Sequence, residues 1–326
     1  MGVIEAYRAR LPVGPGTPEL TLGEGNTPLV EAPSLGHELG VELHVKCEGL
    51  NPTGSFKDRG MVLAVSRAVD AGARAVVCAS TGNTAASAAA YAARAGIQAV
   101  VVTPVGATAG PKRAQARAAG ARLLEVRGSF DDALRLCRLL AEQDGYVLVN
   151  SINPDRLEGQ QSVVGEILDQ LGGVPDVVAL PYGGGGNVCA IAAGFARAGA
   201  SPRLIVGEAL QRADTWASAI RIAEPAHAGE VAELVAAGRV EVVSLSDEEL
   251  RADWERLVTL EGVFCEPASA AGVAALRRSG RGHTGLAGKV AVAIVTGHGL
   301  KDTANVTEPE VPAIEASLEA ILEALA

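Results

Sequence analysis

The sequence predicts an α/β protein with two closely packed lobes, in which mainly parallel sheets are flanked by helices. The chain has 326 residues, which is enough for two domains or one large α/β unit. Hydrophobic residues make up 48% of the chain and charged residues 20%, as in an ordinary folded protein. Short runs of consecutive apolar residues alternate with alanine-rich helical runs, as is typical of parallel strands that helices cover on both faces.

In the first half of the chain, helical runs and apolar runs follow one another with short connections. In chain order they predict a helix at 57–70, a strand at 75–80, a helix at 84–95, a strand at 98–104, a helix at 111–119, a strand at 122–128, a helix at 131–143 and a strand at 146–150. Because crossover helices join parallel strands, these strands predict one sheet. We assign it to a small α/β domain that spans residues 52–148.

The second half repeats this alternation with longer connections. In chain order it predicts a helix at 159–171, a strand at 176–181, a helix at 187–199, a strand at 203–208, helices at 247–260 and 269–278, a strand at 290–297 and a helix at 313–325. Ser246 and Glu249 form the sequence signature of a capping box. We assign these elements to a large α/β domain that spans 1–51 and 149–326. No flexible linker separates the domains, so a ligand is expected in the cleft between them, at the carboxyl ends of strands.

Composition excludes several classes of function. The net charge of −10 argues against nucleic acid or anionic membranes as partners, because no cluster of Lys and Arg is visible. The five cysteines show no CxxC pair and no metal-ligand spacing, so we expect buried reduced thiols in a cytoplasmic protein and no metal site. The N-terminus lacks the apolar core of a signal peptide, and no apolar run is long enough to cross a membrane.

One lysine, Lys57, stands in a run of small and turn-forming residues, EGLNPTGSFKDRGM. A solvated surface lysine needs no such setting, whereas a lysine whose amine must be held deprotonated in front of a ligand does.

Two strand–turn–helix segments could bind anions. CASTGNTAAS offers free N–H groups at a helix start and the hydroxyls of Ser80, Thr81 and Thr84, which suit a carboxylate. The alternative is that Asn83 or Thr84 only caps the helix. ALPYGGGGNV has four glycines in succession, at 183–186, between a strand and a helix, which favours a phosphate.

A dinucleotide-binding site is a rival interpretation of the second segment. Glu208 ends the next strand, roughly where such a unit keeps its ribose-binding acid. Gly183 and Gly185 would then need a third glycine at 188, where the chain has valine, so the fingerprint is incomplete.

Further polar residues follow other predicted strands. Arg156, with Asn150 and Ser151, could clamp an oxyanion, and Lys112 lies near another helix start. Each cation alone is more often a solvated surface residue, but together, at strand ends of the same lobe, they could converge. Thr296 would lie at the end of the last strong strand, facing the cleft.

Six segments occur in an order that identifies a family: NPTGSFKDRGM, STGNT, the glycine-rich turn ending in Asn187, NSINPDRLEGQ, EPASAAG and TGHGLKD. The whole chain resembles the threonine synthases, which are fold-type-II pyridoxal 5′-phosphate (PLP) enzymes of the tryptophan synthase β class. The resemblance implies the two-lobed fold of that class, an active site in the interlobe cleft, and PLP as cofactor. It also implies an enzyme that often forms homodimers.

The resemblance implies a role for each matching position. Lys57 would hold PLP as a Schiff base and move protons during turnover. Asn83 would bind the 3′-oxygen of the cofactor, and Thr296 would meet its pyridine nitrogen. The cofactor phosphate would lie against Gly183, Gly184, Gly185, Gly186 and Asn187. The substrate carboxylate would be held by Ser80, Thr81 and Thr84. The substrate phosphate would be held by Lys112, Asn150, Ser151 and Arg156.

The implied reaction is that of a carbon–oxygen lyase, which converts O-phospho-L-homoserine and water to L-threonine and phosphate. Three departures from the family pattern leave other substrates open. The turn reads GGGGN where the family usually has GNAGN, the segment 209–218 is shortened, and Gln161 and Ser162 replace the usual Lys-Thr. The alternatives are a serine or threonine dehydratase, a paralogue acting on another amino acid, an NAD-dependent dehydrogenase, and a silent PLP-binding protein.

Overall fold

Two sheets organise the fold in the computed structural model, which describes residues 1–106, 110–282, 285–303, 306 and 313–325. The strands among these residues are β1 (Leu29–Glu31), β2 (Glu42–Cys47), β3 (Ala75–Ala79), β4 (Gln98–Pro104), β5 (Arg122–Val126), β6 (Tyr146–Leu148), β7 (Val177–Pro181), β8 (Arg203–Ala209), β9 (Val240–Leu245) and β10 (Val290–Val295). The larger sheet has the order β1-β2-β10-β7-β8-β9 and the smaller has the order β5-β4-β3-β6. Neighbouring strands run parallel except β1 and β2, which are antiparallel.

Helices connect the strands and cover both sheets. They are α1 (Val3–Tyr7), α2 (Pro33–Leu39), α3 (Lys57–Asp70), α4 (Asn83–Ala95), α5 (Pro111–Ala118), α6 (Phe130–Ala141), α7 (Pro154–Gln160), α8 (Ser162–Leu171), α9 (Gly186–Arg197), α10 (Ala228–Ala236), α11 (Asp247–Glu261), α12 (Ala271–Gly282) and α13 (Leu318–Leu325). Short 3₁₀ helices occur at Arg8–Arg10, Glu48–Leu50, Ser218–Ile220, Pro267–Ala270 and Gly299–Lys301. In the described part of the chain, none of the helices is both long and apolar enough to cross a membrane.

The central strands of both sheets are buried on both faces, as the continuous apolar runs predict. In β10, Ala293 packs into one hydrophobic cluster and Val292 and Ile294 into another, because successive side chains point to opposite faces. In β3, Val76 and Val77 divide in the same way between two further clusters. The prediction of an α/β protein with mainly parallel sheets is confirmed.

The carboxyl ends of four strands and the start of α3 define the region of the candidate site. Ser80 follows β3, Asn150 lies just after β6, Gly183 comes two residues after β7, and Thr296 follows β10. The Thr296 carbonyl accepts a hydrogen bond from the backbone N–H of Phe56 at 3.0 Å, which ties the start of α3 to the end of β10.

Three strands were not predicted from the sequence. β2 carries Lys46, which is fully buried and forms an ion pair with Glu166 at 2.9 Å, so a charged residue interrupts its apolar pattern. β1 has only three residues, and β9 alternates buried and half-buried positions as an edge strand does.

Two predicted helices were wrong in their boundaries. The helix predicted at 159–171 is divided into α7 and α8, and α7 begins earlier because Asn153 caps it and Pro154 occupies its first position. The last helix begins at Leu318 and not at 313. The capping box of Ser246 and Glu249 is confirmed, with both of its hydrogen bonds formed.

Candidate active site

Lys57 is the first residue of α3 and lies half-buried, with its Nζ 4.2 Å from the centroid of the Phe56 ring. The pKa of its amine is lowered to about 7, first by burial and then by the positive charge of Arg156, while Glu266 acts in the opposite direction. An ammonium group taken out of water loses hydration, so the neutral amine is favoured. The amine of Lys57 is therefore available as a nucleophile and as a base near neutral pH.

The small residues before Lys57 form a tight turn against the end of β10. Asp58 accepts hydrogen bonds from the backbone N–H of Thr53 at 2.7 Å and from its hydroxyl at 2.5 Å. Gly54 has φ +85°, and a Cβ there would lie 2.8 Å from Cδ of Lys301. These contacts explain the run of turn-forming residues, which lets the chain pass close to β10 and fixes where Lys57 begins its helix.

A buried carboxylate joins two of the predicted site residues. Glu266 is 1% exposed and accepts a hydrogen bond from Nδ2 of Asn83 at 2.8 Å. Its other oxygen forms an ion pair with Nζ of Lys112 at 2.8 Å. Within the described residues, Asn83 keeps a buried Oδ1 atom without a hydrogen-bond partner. Asn83, Lys112 and Glu266 thus form one polar cluster, and Glu266 also acts electrostatically on Lys57.

The start of α4 holds the predicted carboxylate site. The residue that caps α4 is Gly82, with no side-chain hydrogen bond to the helix end, so the alternative that Asn83 or Thr84 caps the helix is wrong. The Ser80 hydroxyl accepts hydrogen bonds from the N–H groups of Gly82 at 3.1 Å and Ala85 at 3.3 Å.

Thr81 and Thr84 are half-buried at the same helix start. The start of α4 therefore carries hydroxyl groups and free N–H groups. Lys112 lies close by, because a Cβ added at Gly82 would be 4.0 Å from its Cδ.

The four-glycine turn connects β7 to α9. Gly185 is the residue before α9 and has φ +87°, a left-handed conformation that favours glycine, and no side chain caps the helix. Neighbouring residues order the turn: Nη1 of Arg212 donates to the Gly183 carbonyl at 3.3 Å, and the backbone N–H of His227 donates to the Gly184 carbonyl at 3.1 Å. The first N–H groups of α9, at Gly186 and beyond, have no partner within the helix and can face an anion.

Glu208, the acid on which the dinucleotide interpretation depends, is engaged within the protein. It accepts hydrogen bonds from Oγ of Ser244 at 2.7 Å and from Nη2 of Arg212. The guanidinium of Arg212 also stacks on the Tyr182 ring, 4.4 Å from its centroid. In the described structure, Glu208 therefore supports the glycine turn through Arg212.

Arg156 is fully buried at the start of α7. Its Nη1 donates to the Val149 carbonyl at 2.9 Å, while Nε and Nη2 are buried and have no hydrogen-bond partner among the described residues. Burial lowers the pKa of Arg156 to about 10. An ionised guanidinium with two free N–H groups side by side matches the two oxygens of a phosphate or carboxylate.

Asn150 and Ser151 lie in the turn that precedes Arg156, and both have hydrogen-bond contacts within the protein. The amide of Asn150 accepts from the Ala79 N–H at 3.0 Å and donates to the Ala79 carbonyl at 2.8 Å, so it extends the pairing of β6 with β3. The Ser151 carbonyl lies 3.2 Å from Nε2 of His227. The side chain of Asn150 thus positions the turn and has one N–H left over.

Thr296 is buried after β10, and its hydroxyl lies 3.2 Å from that of Ser269 in the EPASAAG segment. Ser269 also accepts a hydrogen bond from the backbone N–H of Gly297 at 3.0 Å. A hydroxyl is the neutral partner that was expected for a pyridine nitrogen.

Several residues at the site were missed by reasoning from the sequence. Glu266 belongs to the motif EPASAAG, but no role was predicted for it. The available signal for a functional acid was its isolation within the apolar run VFCEPASAAG. Arg212 and His227 lie in a region without helical or strand periodicity. Lys301 is buried, donates to the Thr53 carbonyl at 2.5 Å and to Oε1 of Gln115 at 2.6 Å, and thereby ties α5 to the turn before Lys57.

The described residues fit PLP. Lys57, with its lowered pKa, supplies an amine, and Asn83 supplies an amide whose Oδ1 has no partner among the described residues. Thr296 supplies a buried neutral hydroxyl. The start of α9, which no side chain caps, supplies an anion cradle. At Gly184 the nearest atom to an added Cβ is Cδ1 of Ile222 at 3.6 Å, so the protein leaves open space beside this turn.

Comparisons with known proteins agree with this fold and this site. The model of the family described as "Pyridoxal-phosphate dependent enzyme" matches residues 20–297, and the chain belongs to that family. It is 45% identical to a threonine synthase of Mycobacterium leprae over 345 aligned positions, which cover 99% of this chain and 96% of that protein. It is 44% identical to a threonine synthase of Halalkalibacterium halodurans, over 92% of this chain and 90% of that protein. Within the PLP-dependent family, the chain therefore groups with the threonine synthases.

A solved structure supports the fold. The cysteine synthase of Entamoeba histolytica matches with a TM-score of 0.77 over 92% of this chain and 96% of that chain, at 20% identity. At this level of identity the match concerns the fold alone, and it agrees with the prediction of a fold-type-II PLP enzyme.

Proposed function

We propose that this protein converts O-phospho-L-homoserine and water to L-threonine and phosphate, as a PLP-dependent lyase of threonine biosynthesis. The observation that carries the proposal is Arg156, a buried guanidinium whose charge lowers the pKa of Lys57. Two of its nitrogens have no hydrogen-bond partner in the part of the chain that the structure describes. A buried charge without a partner is costly, so such a group indicates that an anion is bound during function. A second anion site beside the cofactor lysine suits a substrate that carries its own phosphate.

The cofactor residues in this proposal are those that line the cleft. Lys57 is the attachment point, Asn83 and Thr296 contact the ring, and the turn Gly183–Asn187 receives the phosphate. The N-terminus of α9 supports the last assignment, because its free N–H groups and its dipole favour a negative charge. When it is bound, PLP supplies an electron sink for negative charge that develops on the substrate carbons.

The chain's own residues hold and orient the substrate. Ser80, Thr81 and Thr84 bind the α-carboxylate at the start of α4, where helix N–H groups also face the cleft. Arg156 binds the substrate phosphate and holds it as it leaves. Lys112 lies beside the start of α4, paired with Glu266, and is the second cation that the proposal assigns to the substrate phosphate.

Lys57 also moves protons. Its amine, with a pKa of about 7, can accept a proton from the substrate α-carbon and return one during the same turnover. Glu266 acts against burial and against Arg156, and raises the pKa of Lys57.

The proposal also covers the setting of the enzyme. The substrate is a small amino acid, and all five cysteines are free thiols, which is consistent with a cytoplasmic location. We further propose a homodimer, which rests on the family resemblance. The assignments of 52–148 to a small domain and of 1–51 with 149–326 to a large domain remain proposals of the same kind.

One observation favours a second candidate, a dehydratase: the glycine turn has four glycines, as in serine and threonine dehydratases. Steady-state assays with O-phospho-L-homoserine, L-serine and L-threonine separate the two, with phosphate release and 2-oxo acid formation measured side by side. The proposal expects the kcat/KM for phosphate release from O-phospho-L-homoserine to exceed that for 2-oxo acid formation from L-serine or L-threonine. It also expects no phosphate release by Lys57→Ala. Faster 2-oxo acid formation from serine or threonine would replace it with the dehydratase.

A further inference from the structure

His227 lies between the two turns that the proposed function assigns to the cofactor phosphate and the substrate phosphate. It precedes α10, and its side chain is only 7% exposed. Its backbone N–H donates to the Gly184 carbonyl at 3.1 Å, and its Cβ lies 2.9 Å from where a Cβ would stand on Gly185. Its ring reaches the other turn, where Nε2 lies 3.2 Å from the Ser151 carbonyl oxygen.

Both ring nitrogens of His227 face oxygens that can only accept hydrogen bonds. Nε2 faces the Ser151 carbonyl, and Nδ1 lies 3.1 Å from Oε1 of Glu230. A neutral imidazole has one N–H group, so it would leave one of these contacts without a proton, whereas an imidazolium donates to both. An imidazolium ring would satisfy both contacts at once.

The ring of His227 lies against the glycine turn. Its carboxylate partner, Glu230, is 58% exposed, and water screens an exposed charge strongly. The ring is buried against Gly185 and Gly186, with Nε2 3.5 Å from where a Cβ on Gly186 would stand, so a positive charge on it would act on this turn. The turn itself, 183–187, contains no Lys or Arg.

We propose that His227 is a positioning residue for the PLP phosphate: as an imidazolium it braces the four-glycine turn against the Ser151 turn and adds a positive charge to the phosphate cradle. The proposal rests on the assignment of the glycine turn to the cofactor phosphate, and not on the identity of the substrate. A turn of four glycines has high conformational freedom, so fixed neighbours are needed to aim its N–H groups.

The test uses His227→Gln, which removes the charge but keeps a donor that can reach the Ser151 carbonyl, together with His227→Ala. The matched control is His44→Gln on β2, because His44 also contacts a carboxylate, at 3.0 Å from Oε1 of Glu42, and is remote from both turns. Equilibrium dialysis gives the Kd of each apoenzyme for PLP, and phosphorus NMR gives the chemical shift of the bound phosphate. Circular dichroism confirms that each variant is folded.

The proposal expects His227→Gln to raise the Kd for PLP about 10-fold or more, as for loss of a charged partner, with a changed phosphorus shift, while His44→Gln changes neither. Nitrogen NMR of the wild-type holoenzyme is expected to show one doubly protonated histidine ring that disappears in His227→Gln. Unchanged affinity and phosphorus shift in the folded His227 variants, or a neutral ring in the wild type, would overturn it. If the wild type releases no phosphate from O-phospho-L-homoserine but His227→Gln still loses PLP, the substrate assignment fails and this inference stands.

Discussion

Replacement of Arg156 by Met separates the binding of the substrate phosphate from the stability of the fold. The lowering of its pKa from 12.5 to about 10 corresponds to about 3 kcal/mol of unfavourable free energy for the charged form, at about 1.4 kcal/mol per pKa unit. The hydrogen bond to the Val149 carbonyl opposes this with about 1.5–3 kcal/mol. The two contributions nearly cancel, so Arg156→Met should leave the free energy of unfolding within about 1–2 kcal/mol of the wild type.

The loss in phosphate binding should be much larger. Removal of a charged partner from a bound phosphate costs about 2–5 kcal/mol, which is about thirty-fold to several-thousand-fold in affinity. Urea unfolding of the apoenzyme measures the first effect. The kcat/KM for O-phospho-L-homoserine and competitive inhibition by inorganic phosphate measure the second.

Arg197→Met is the matched control for Arg156→Met, because Arg197 lies on the surface of α9 in an ion pair with Glu158 at 2.9 Å. We expect Arg197→Met to keep the wild-type kcat/KM for O-phospho-L-homoserine and the wild-type inhibition by inorganic phosphate. The reasoning is refuted if Arg156→Met retains wild-type kcat/KM and phosphate inhibition. A loss of more than about 3 kcal/mol of stability would show instead that the guanidinium has a structural partner, since breaking a buried pair costs that much.

Three further predictions follow from the same geometry. Gly184→Ala should weaken PLP binding in equilibrium dialysis with little change in thermal stability, because the added Cβ meets only Ile222 at 3.6 Å within the protein; unchanged PLP affinity would remove this turn from the cofactor site. In the apoenzyme, the rate at which the amine of Lys57 reacts with trinitrobenzenesulfonate should rise with pH, with a midpoint near pH 7. The reason is that the ammonium form dominates below the pKa and the nucleophilic amine above it. A midpoint near pH 10 would show an ordinary lysine. Glu266→Gln should move that midpoint to lower pH, because Glu266 raises the pKa of Lys57, and an unmoved midpoint would show that the two groups are not coupled.

The sheets were predictable from the sequence because their strands are buried on both faces. A strand covered twice must be apolar at every position, and β3, β7 and β10 are. β2 escaped prediction because its buried charge, Lys46, is neutralised by a partner far along the chain. Pairing of this kind depends on the tertiary fold and leaves no periodic signal.

The candidate site was predictable only where a local turn carries the chemistry. Lys57 and the four-glycine turn are recognisable because their neighbours must be small for the backbone to bend or approach a ligand. Glu266 and His227 act through contacts with residues distant in sequence, at Asn83 and Ser151, so their roles required the three-dimensional structure.

Arg156 illustrates a middle case. Its position among NSINPDR suggested an anion site, but a solvated surface cation is the more frequent explanation for a single arginine. Its full burial excludes the solvated surface cation, because a solvated surface arginine is exposed, and the anion site stays a prediction.

The central claim is that the cleft around Lys57 replaces the phosphate of O-phospho-L-homoserine by a hydroxyl at the neighbouring carbon. The most direct measurement is mass spectrometry of the products formed by the holoenzyme in water enriched in heavy oxygen, with released phosphate counted in the same sample. The account predicts one L-threonine for each phosphate, heavy oxygen in the threonine hydroxyl, and neither product from Lys57→Ala. Phosphate released with 2-oxobutyrate in place of threonine, or no release of phosphate at all, would contradict it.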